Sequence, residues 1–135
     1  MKEAQVEIEI FDTTLRDGAQ SLPETNQFPV GAKPEIADKI ASLGVSTIEA
    51  GFPATPGDAQ EVAAVAEIVG QIDYAVCRWD RNEMVEVSRP VTIAGLSRTV
   101  PSDIETTWRA INTAKKPRIH TFISTDPAHM EAKFP

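Results

Sequence analysis

Val45-Ser46-Thr47-Ile48-Glu49-Ala50, then Gly51-Phe52-Pro53-Ala54-Thr55-Pro56-Gly57, then Asp58-Ala59-Gln60-Glu61-Val62 is the passage that decides the fold. The first six residues, rich in β-branched and apolar side chains, read as a strand, and Gly51 to Gly57 as a loop. Asp58 with Glu61 three residues on forms a capping-box signature. Val62, Val65 and Val69 then fall on one helical face, and Gly70 ends the run. Strand, polar loop and amphipathic helix make one βα unit.

The same unit recurs on both sides. Upstream, Val6, Ile8 and Ile10 alternate with Glu7 and Glu9, the period of a strand that Phe11-Asp12 closes. A loop from about Thr13 to Pro29 leads to a helix expected to start near Lys33-Pro34, where proline lacks only an N–H that the helix does not need. Ile36, Ile40 and Leu43 would share its buried face, and Gly44 would supply a left-handed stop. Downstream, Val91-Thr92-Ile93-Ala94-Gly95-Leu96 reads as a buried strand. A helix capped by Ser102 with Glu105 follows, carrying Ile104, Trp108 and Ile111 and stopping before Pro117. Residues 119–123 make the last strand, and Asp126-Pro127 opens a further helix.

Alternating strands and helices imply an α/β chain with a parallel sheet and right-handed crossovers. A TIM (β/α)8 barrel uses roughly 31 residues per unit, so 135 residues correspond to about four units. The expectation is the N-terminal half of a TIM barrel, one partial catalytic domain over 1–135, with parallel strands at 6–11, 45–50, 91–96 and 119–123. Residues 71–90 break the rhythm and read as an insertion. Ile72-Asp73-Tyr74-Ala75-Val76 suits a strand there, and residues 82–87 a short helix or hairpin arm.

Composition narrows the function. Twenty acidic and 13 basic residues give a net charge of −7, against a phosphate-tracking nucleic-acid binder. Apolar runs such as Ala63-Ala64-Val65-Ala66 fall far below the ~18 residues of a membrane span. The N-terminus has neither a secretory core nor the acid-poor character of a transit peptide. Cys77 is the single cysteine, so an internal disulfide is excluded and a reducing compartment fits. A folded soluble domain in a reducing compartment, without nucleic-acid or membrane partners, is what this composition fits.

Reactive groups in parallel α/β folds gather past the carboxyl ends of the strands. Asp12 to Gln20, Glu49 to Pro53, Ser97-Arg98 and His120 to Thr125 lie there. Arg16-Asp17-Gly18 places a fixed cation beside a hard oxygen donor on a turning backbone. Asp17 suits Mg²⁺ or Mn²⁺, and Arg16 suits a developing oxyanion or enolate. The same pair also reads as an ion pair that merely holds a surface loop.

Ile10-Phe11-Asp12-Thr13-Thr14-Leu15-Arg16-Asp17-Gly18-Ala19-Gln20 resembles the first-strand signature of the 2-isopropylmalate synthase and homocitrate synthase family, acyl-CoA condensing enzymes on a TIM barrel. The likeness continues through Ile48-Glu49-Ala50-Gly51-Phe52-Pro53-Ala54 and Ala94-Gly95-Leu96-Ser97-Arg98. It extends over Pro117-Arg118-Ile119-His120-Thr121-Phe122-Ile123-Ser124-Thr125 and His129-Met130-Glu131-Ala132-Lys133, in family order. Glu49-Ala50-Gly51-Phe52-Pro53 together with the run from His120 to Thr125 tilts the likeness toward 2-isopropylmalate synthase.

The resemblance implies condensation of acetyl-CoA with a 2-oxo acid, 2-oxoisovalerate, on a divalent metal, by a complete enzyme that is a homodimer. It implies Arg16 at the enolate and Asp17 on the metal. Gln20, Glu49 and His120 line the keto-acid site, with Thr125 assisting. His129 falls in an exposed first helical turn, and Cys77 in the insertion is a packing residue. Homocitrate, citramalate and hydroxymethylglutaryl-CoA chemistries differ mainly in pocket shape, and a catalytically silent truncated piece is the alternative of another class. Ala19 stands where the family commonly has Glu. The family completes its metal site with a late His-x-His pair, which His120 and His129, nine apart, do not supply. The 135-residue chain alone is therefore expected to be inactive.

Overall fold

A computed structural model describes residues 8–80 and 83–133. Four strands form one parallel sheet in the order β1 (Phe11–Asp12), β2 (Thr47–Gly51), β5 (Thr92–Ser97), β6 (Pro117–Thr121). Between them, and beyond β6, run α2 (Lys33–Ser42), α3 (Pro56–Ile68), α4 (Pro101–Ile111) and α5 (Pro127–Lys133). A π-helical turn, Thr14–Gly18, runs into the short helix α1 (Ala19–Ser21) after β1. Sequential parallel order with one helix per crossover is half of a (β/α)8 barrel.

Pleating sorts the side chains. Ile48 and Ala50 of β2, Ile93 of β5 and, in part, Ile119 of β6 pack into the core with Val62 and Val65 of α3 and Ile111 of α4. Thr47 and Glu49, and Arg118 and His120, point to the opposite, concave face, where they meet one another. The core therefore lies between sheet and helices, and the concave face carries polar groups.

Two glycines are set by geometry. Gly44, at φ 87°, turns the chain from α2 into β2, a conformation that costs other residues 1–2 kcal/mol, by rough measure. Gly95 lets α4 approach β5: a Cβ there would stand 2.6 Å from Thr107 Cγ2.

Several local expectations are corrected. The first strand was expected over 6–11; residues 6 and 7 lie outside the described residues, and the ladder holds only Phe11–Asp12, with Ile8 and Ile10 exposed. The last strand was expected over 119–123; it is Pro117–Thr121, and Phe122 and Ile123 are exposed. Leu43 is exposed, because α2 ends at Ser42 and buries Ala37, Ile40 and Ala41 instead. The cap of α3 is Thr55, not Asp58. Pro56 presets the first helical φ, and Thr55 Oγ1 accepts from the Asp58 N–H at 3.2 Å. Likewise Pro101 starts α4 one residue ahead of Ser102, Val100 precedes it without a side-chain cap, and Glu105 pairs with Arg109. α4 buries Thr107, Ala110 and Ile111, leaving Ile104 and Trp108 partly exposed.

The stretch that broke the rhythm is an antiparallel hairpin of β3 (Asp73–Asp80) and β4 (Glu83–Pro90), a two-stranded sheet of its own. Its inner face docks at the end where strands begin. The Tyr74 hydroxyl donates to Asp38 of α2 at 2.8 Å, Arg89 donates to the Gly44 carbonyl at 3.2 Å, and Lys115 pairs with Asp73 at 2.8 Å. Cys77 and Trp79 lie on the exposed outer face. No helix among the described residues is long and apolar enough to cross a membrane.

Candidate active site

Glu49 is the centre of the concave face. It sits on β2, where the register with β5 shifts between Glu49 and Gly51, an irregularity of the kind that re-aims side chains beside functional sites. Its side chain is fully buried. Arg16 Nε donates to Glu49 Oε2 at 2.6 Å, and His120 Nδ1 lies 2.6 Å from Oε1. A buried carboxylate is tolerable only when its oxygens are matched by charge or hydrogen bonds, and here each oxygen has its own partner.

Arg16 reaches Glu49 because the π-helical turn after β1 carries it inward while burying Leu15 beneath. Its Nη1 also donates to Asp17 Oδ1 at 2.8 Å. Asp17 itself is largely exposed. His120 lies one side chain further along the concave face. Its ring meets the Phe11 ring edge-on, centroids 5.2 Å apart at 72°, a favourable aromatic arrangement. A carboxylate oxygen only accepts, so this contact takes the proton on His120 Nδ1 and leaves Nε2 outside it.

Four of the six residues singled out from sequence are thus brought together: Arg16, Asp17, Glu49 and His120. Gln20 lies apart, lining a cleft of about 270 Å³ with Gln27, Phe28, Lys33, Asp58 and Glu61, where Lys33 and Glu61 pair at 2.8 Å. Thr125 is exposed in the loop between β6 and α5. His129 is exposed in the first turn of α5, its Nδ1 3.0 Å from Ser124 Oγ.

Sequence reasoning passed over two neighbours, Arg118 and Phe11, and named Arg98 only within the Ser97-Arg98 segment past β5. Arg118 donates to Thr47 Oγ1 at 3.1 Å and lies 3.6 Å from Glu9. It stands two residues before His120, so the strand period placed both on one face. Phe11 escaped because an aromatic at a strand end reads as core. Arg98, past β5, pairs with Asp103 at 2.5 Å and lies 5.9 Å over the Phe52 ring. The Arg98 guanidinium, by hydrogen bond and charge, holds the Asp103 carboxyl below the usual carboxylate range.

Asp17 is the exposed carboxylate next to Arg16, but no three His, Cys, Asp or Glu among the described residues stand together as a metal ion requires. These residues do not hold a divalent ion by themselves.

The profile of HMGL-like domains matches residues 7–135. The chain belongs to the HMGL-like family. It is 43% identical over 127 residues to the 2-isopropylmalate synthase of Halalkalibacterium halodurans, 93% of this chain and 21% of that protein. It is 46% identical to 2-isopropylmalate synthase 2, chloroplastic, of Arabidopsis thaliana, with 93% and 18% covered. With the 2-isopropylmalate synthase of Lysinibacillus sphaericus it shares 44%, with 93% and 21% covered. This HMGL-like chain thus spans about a fifth of the length of the relatives it matches.

Proposed function

We propose that this chain forms half of the catalytic barrel of a condensing enzyme that joins acetyl-CoA to 2-oxoisovalerate, giving 2-isopropylmalate on the route to leucine. The observation that carries the reading is the buried Glu49, clasped by Arg16 and His120 at the mouth end of the strands, in a chain whose relatives bear that enzyme's name.

The chemistry follows from what each group has left to offer. Glu49 and Asp17 engage Nε and Nη1 of Arg16, which holds the guanidinium plane rigid and leaves Nη2 for an incoming oxygen. Removing a methyl proton from acetyl-CoA leaves negative charge on the thioester oxygen. A fixed guanidinium at that point offsets it without reorganisation. His120, oriented through Nδ1, presents Nε2 to the keto acid; Gln20 and Thr125 are assigned to that pocket on the family likeness, and neither joins the Arg16–Glu49–His120 cluster in this structure. Asp17 is assigned as one carboxylate ligand of Mg²⁺ or Mn²⁺, the others coming from outside the described residues. The working assembly is a homodimer in the cytoplasm.

A chimera tests this. The 127 residues matched in the Halalkalibacterium halodurans enzyme are replaced by this chain, and thiol release from acetyl-CoA is followed with a panel of 2-oxo acids. Turnover with highest kcat/KM on 2-oxoisovalerate supports the reading. A folded chimera that is silent, or that prefers 2-oxoglutarate or pyruvate, sinks it.

A further inference from the structure

We propose that Ala94 of β5 is a positioning residue for the Glu49–His120 pair, its bare methyl group leaving the gap through which the two side chains meet. The proposal deepens the reading of His120 as a keto-acid ligand and rests on that reading for its effect on turnover. The contact itself is tested apart from the reaction.

Strand order makes the gap necessary. Glu49 stands on β2 and His120 on β6, and β5 runs between them. Neighbouring strands lie ~4.8 Å apart, so about 10 Å of sheet separates the two backbones. Yet Glu49 Oε1 and His120 Nδ1 are 2.6 Å apart. The two side chains therefore reach toward each other over β5 instead of standing upright on their own strands. The side chains of β5 on that face lie directly beneath them.

Pleating identifies those side chains. Ile93 belongs to the core, and a Cβ on Gly95 would meet Thr107 and Ile111 of α4. Residues alternate between faces along a strand, so Ala94 and Leu96 present their side chains to the concave face. In register, Ala94 is level with Glu49 on one side and Arg118 on the other, and Leu96 is level with His120. The Glu49–His120 contact thus crosses β5 between Ala94 and Leu96. A second bridge, from Arg118 Nη1 to Thr47 Oγ1 at 3.1 Å, crosses one step lower, between Thr92 and Ala94. Ala94 lies under both. It is 0% exposed with only a methyl group on the concave side, so the bridging side chains close over it.

Interiors pack without spare room. Valine at 94 would put two more carbons into the layer that the Glu49 carboxylate and the imidazole occupy, and would part them. Arg16 Nε holds the other carboxylate oxygen at 2.6 Å, so Glu49 stays with Arg16 and His120 is the partner released. An imidazole without its acceptor loses the fixed proton on Nδ1, and with it the set orientation of Nε2.

The test uses the 135-residue chain with isotope-labelled histidine and His129→Gln, which leaves His120 as the sole imidazole of the two in the sequence. Nitrogen–proton correlation spectra, at a pH where the ring is neutral, report which ring nitrogen carries the proton. Ala94→Gly keeps the gap and should keep the proton on Nδ1. Ala94→Val should leave it averaged over both nitrogens, as in free histidine. Valine suits a strand better than alanine does, and glycine less well, so a role confined to folding would put the greater loss on glycine. Should Ala94→Val not fold, Ala94→Cys, which adds one sulfur atom, takes its place with the same expectation. In the chimera, Ala94→Val should lower kcat/KM for 2-oxoisovalerate by roughly 10²-fold, the scale of a 1 Å misplacement, with KM for acetyl-CoA unchanged and Ala94→Gly close to the parent. A silent parent chimera would count against the condensing reading and leave the spectra to decide this one. A folded Ala94→Val chain with its proton still on Nδ1, an Ala94→Gly chain that has lost it, or an active Ala94→Val chimera with unchanged kcat/KM would each overturn the proposal.

Discussion

Glu49 shows how one buried residue can organise a site. Its two oxygens hold Arg16 and His120 in place, so its charge is matched by neighbours rather than by water. Glu49→Gln keeps the shape but removes the charge and one of the two acceptor oxygens, so Arg16 and His120 can no longer both donate to it, which should lower stability by about 1–3 kcal/mol, the range for hydrogen bonds to charged groups. The lower part of that range applies, since Arg16 and His120 side chains are 18% and 39% exposed and water can replace part of the loss. The urea midpoint reports this, and an unchanged midpoint would mean that the cluster contributes nothing to folding. In the chimera, Arg16→Lys loses the planar fork that meets Glu49, Asp17 and substrate together. It should lower kcat by ~10²-fold, the scale of one oxyanion-stabilising donor, whereas Asp17→Asn should be partly rescued by excess Mn²⁺. Near-normal kcat in Arg16→Lys would return the Arg16–Asp17 pair to the role of a loop tie. The cluster was legible in sequence because Arg16, Glu49 and His120 each follow or end a strand. Gln20 was assigned to it by motif alone, and the helical turn after β1 carries it instead to the cleft with Lys33 and Glu61.

The βα units were readable because their period and punctuation agree: valines at helical spacing in α3, and Gly44 and Gly70 at helix ends. What the periodicity could not give was the rotation of each helix. In α4 the face with Ile104 and Trp108 is the more apolar, yet Thr107, Ala110 and Ile111 are buried, because Gly95 opens room for Thr107 on the sheet. Gly95→Ala would force a Cβ to within 2.6 Å of Thr107 and 3.3 Å of Ile111, an overpacking that should cost roughly 1–3 kcal/mol on thermal or urea unfolding. Tolerance without loss would mean that α4 is free to shift. The hairpin was legible only as a disturbance, since its strands pair with each other and not with the sheet. Tyr74 tests its docking. Burial first, then the hydrogen bond and charge of Asp38, raise the phenol above its ordinary value of 10.0. A raised folded pKa favours the neutral phenol, so this contribution is full below the unfolded value and is lost as pH rises through the folded one. Tyr74 is the single tyrosine, so tyrosinate absorbance reports it alone. The absorbance should emerge above the ordinary value and together with unfolding; a titration at the free-tyrosine value would show the hairpin undocked.

Taken as a whole, the molecule separates a structural end from a chemical one. The hairpin, Gly44 and the Lys115–Asp73 pair lie where the strands begin, and Arg16, Asp17, Glu49 and Arg98 lie where they end, the division expected of TIM barrels. That division explains how a chain spanning about a fifth of its relatives' length carries a recognisable site without carrying a complete one. The site's weakest part is its metal ligation. In its proposed role Asp17 would supply one carboxylate, already engaged by Arg16, and no set of three ligating side chains stands together among the described residues. A hard cation held by one exposed carboxylate has no defined geometry and keeps most of its water, so it cannot fix a keto acid against an incoming enolate. The purified 135-residue chain, given acetyl-CoA, 2-oxoisovalerate and Mn²⁺, should therefore release thiol no faster than the same mixture without protein. The chimera, with the same residues and the missing ligands restored, should release it. Turnover by the chain alone would show that metal ligands exist within these 135 residues and that Asp17 was given the wrong role. Silence in both would remove the condensing chemistry while leaving the fold untouched.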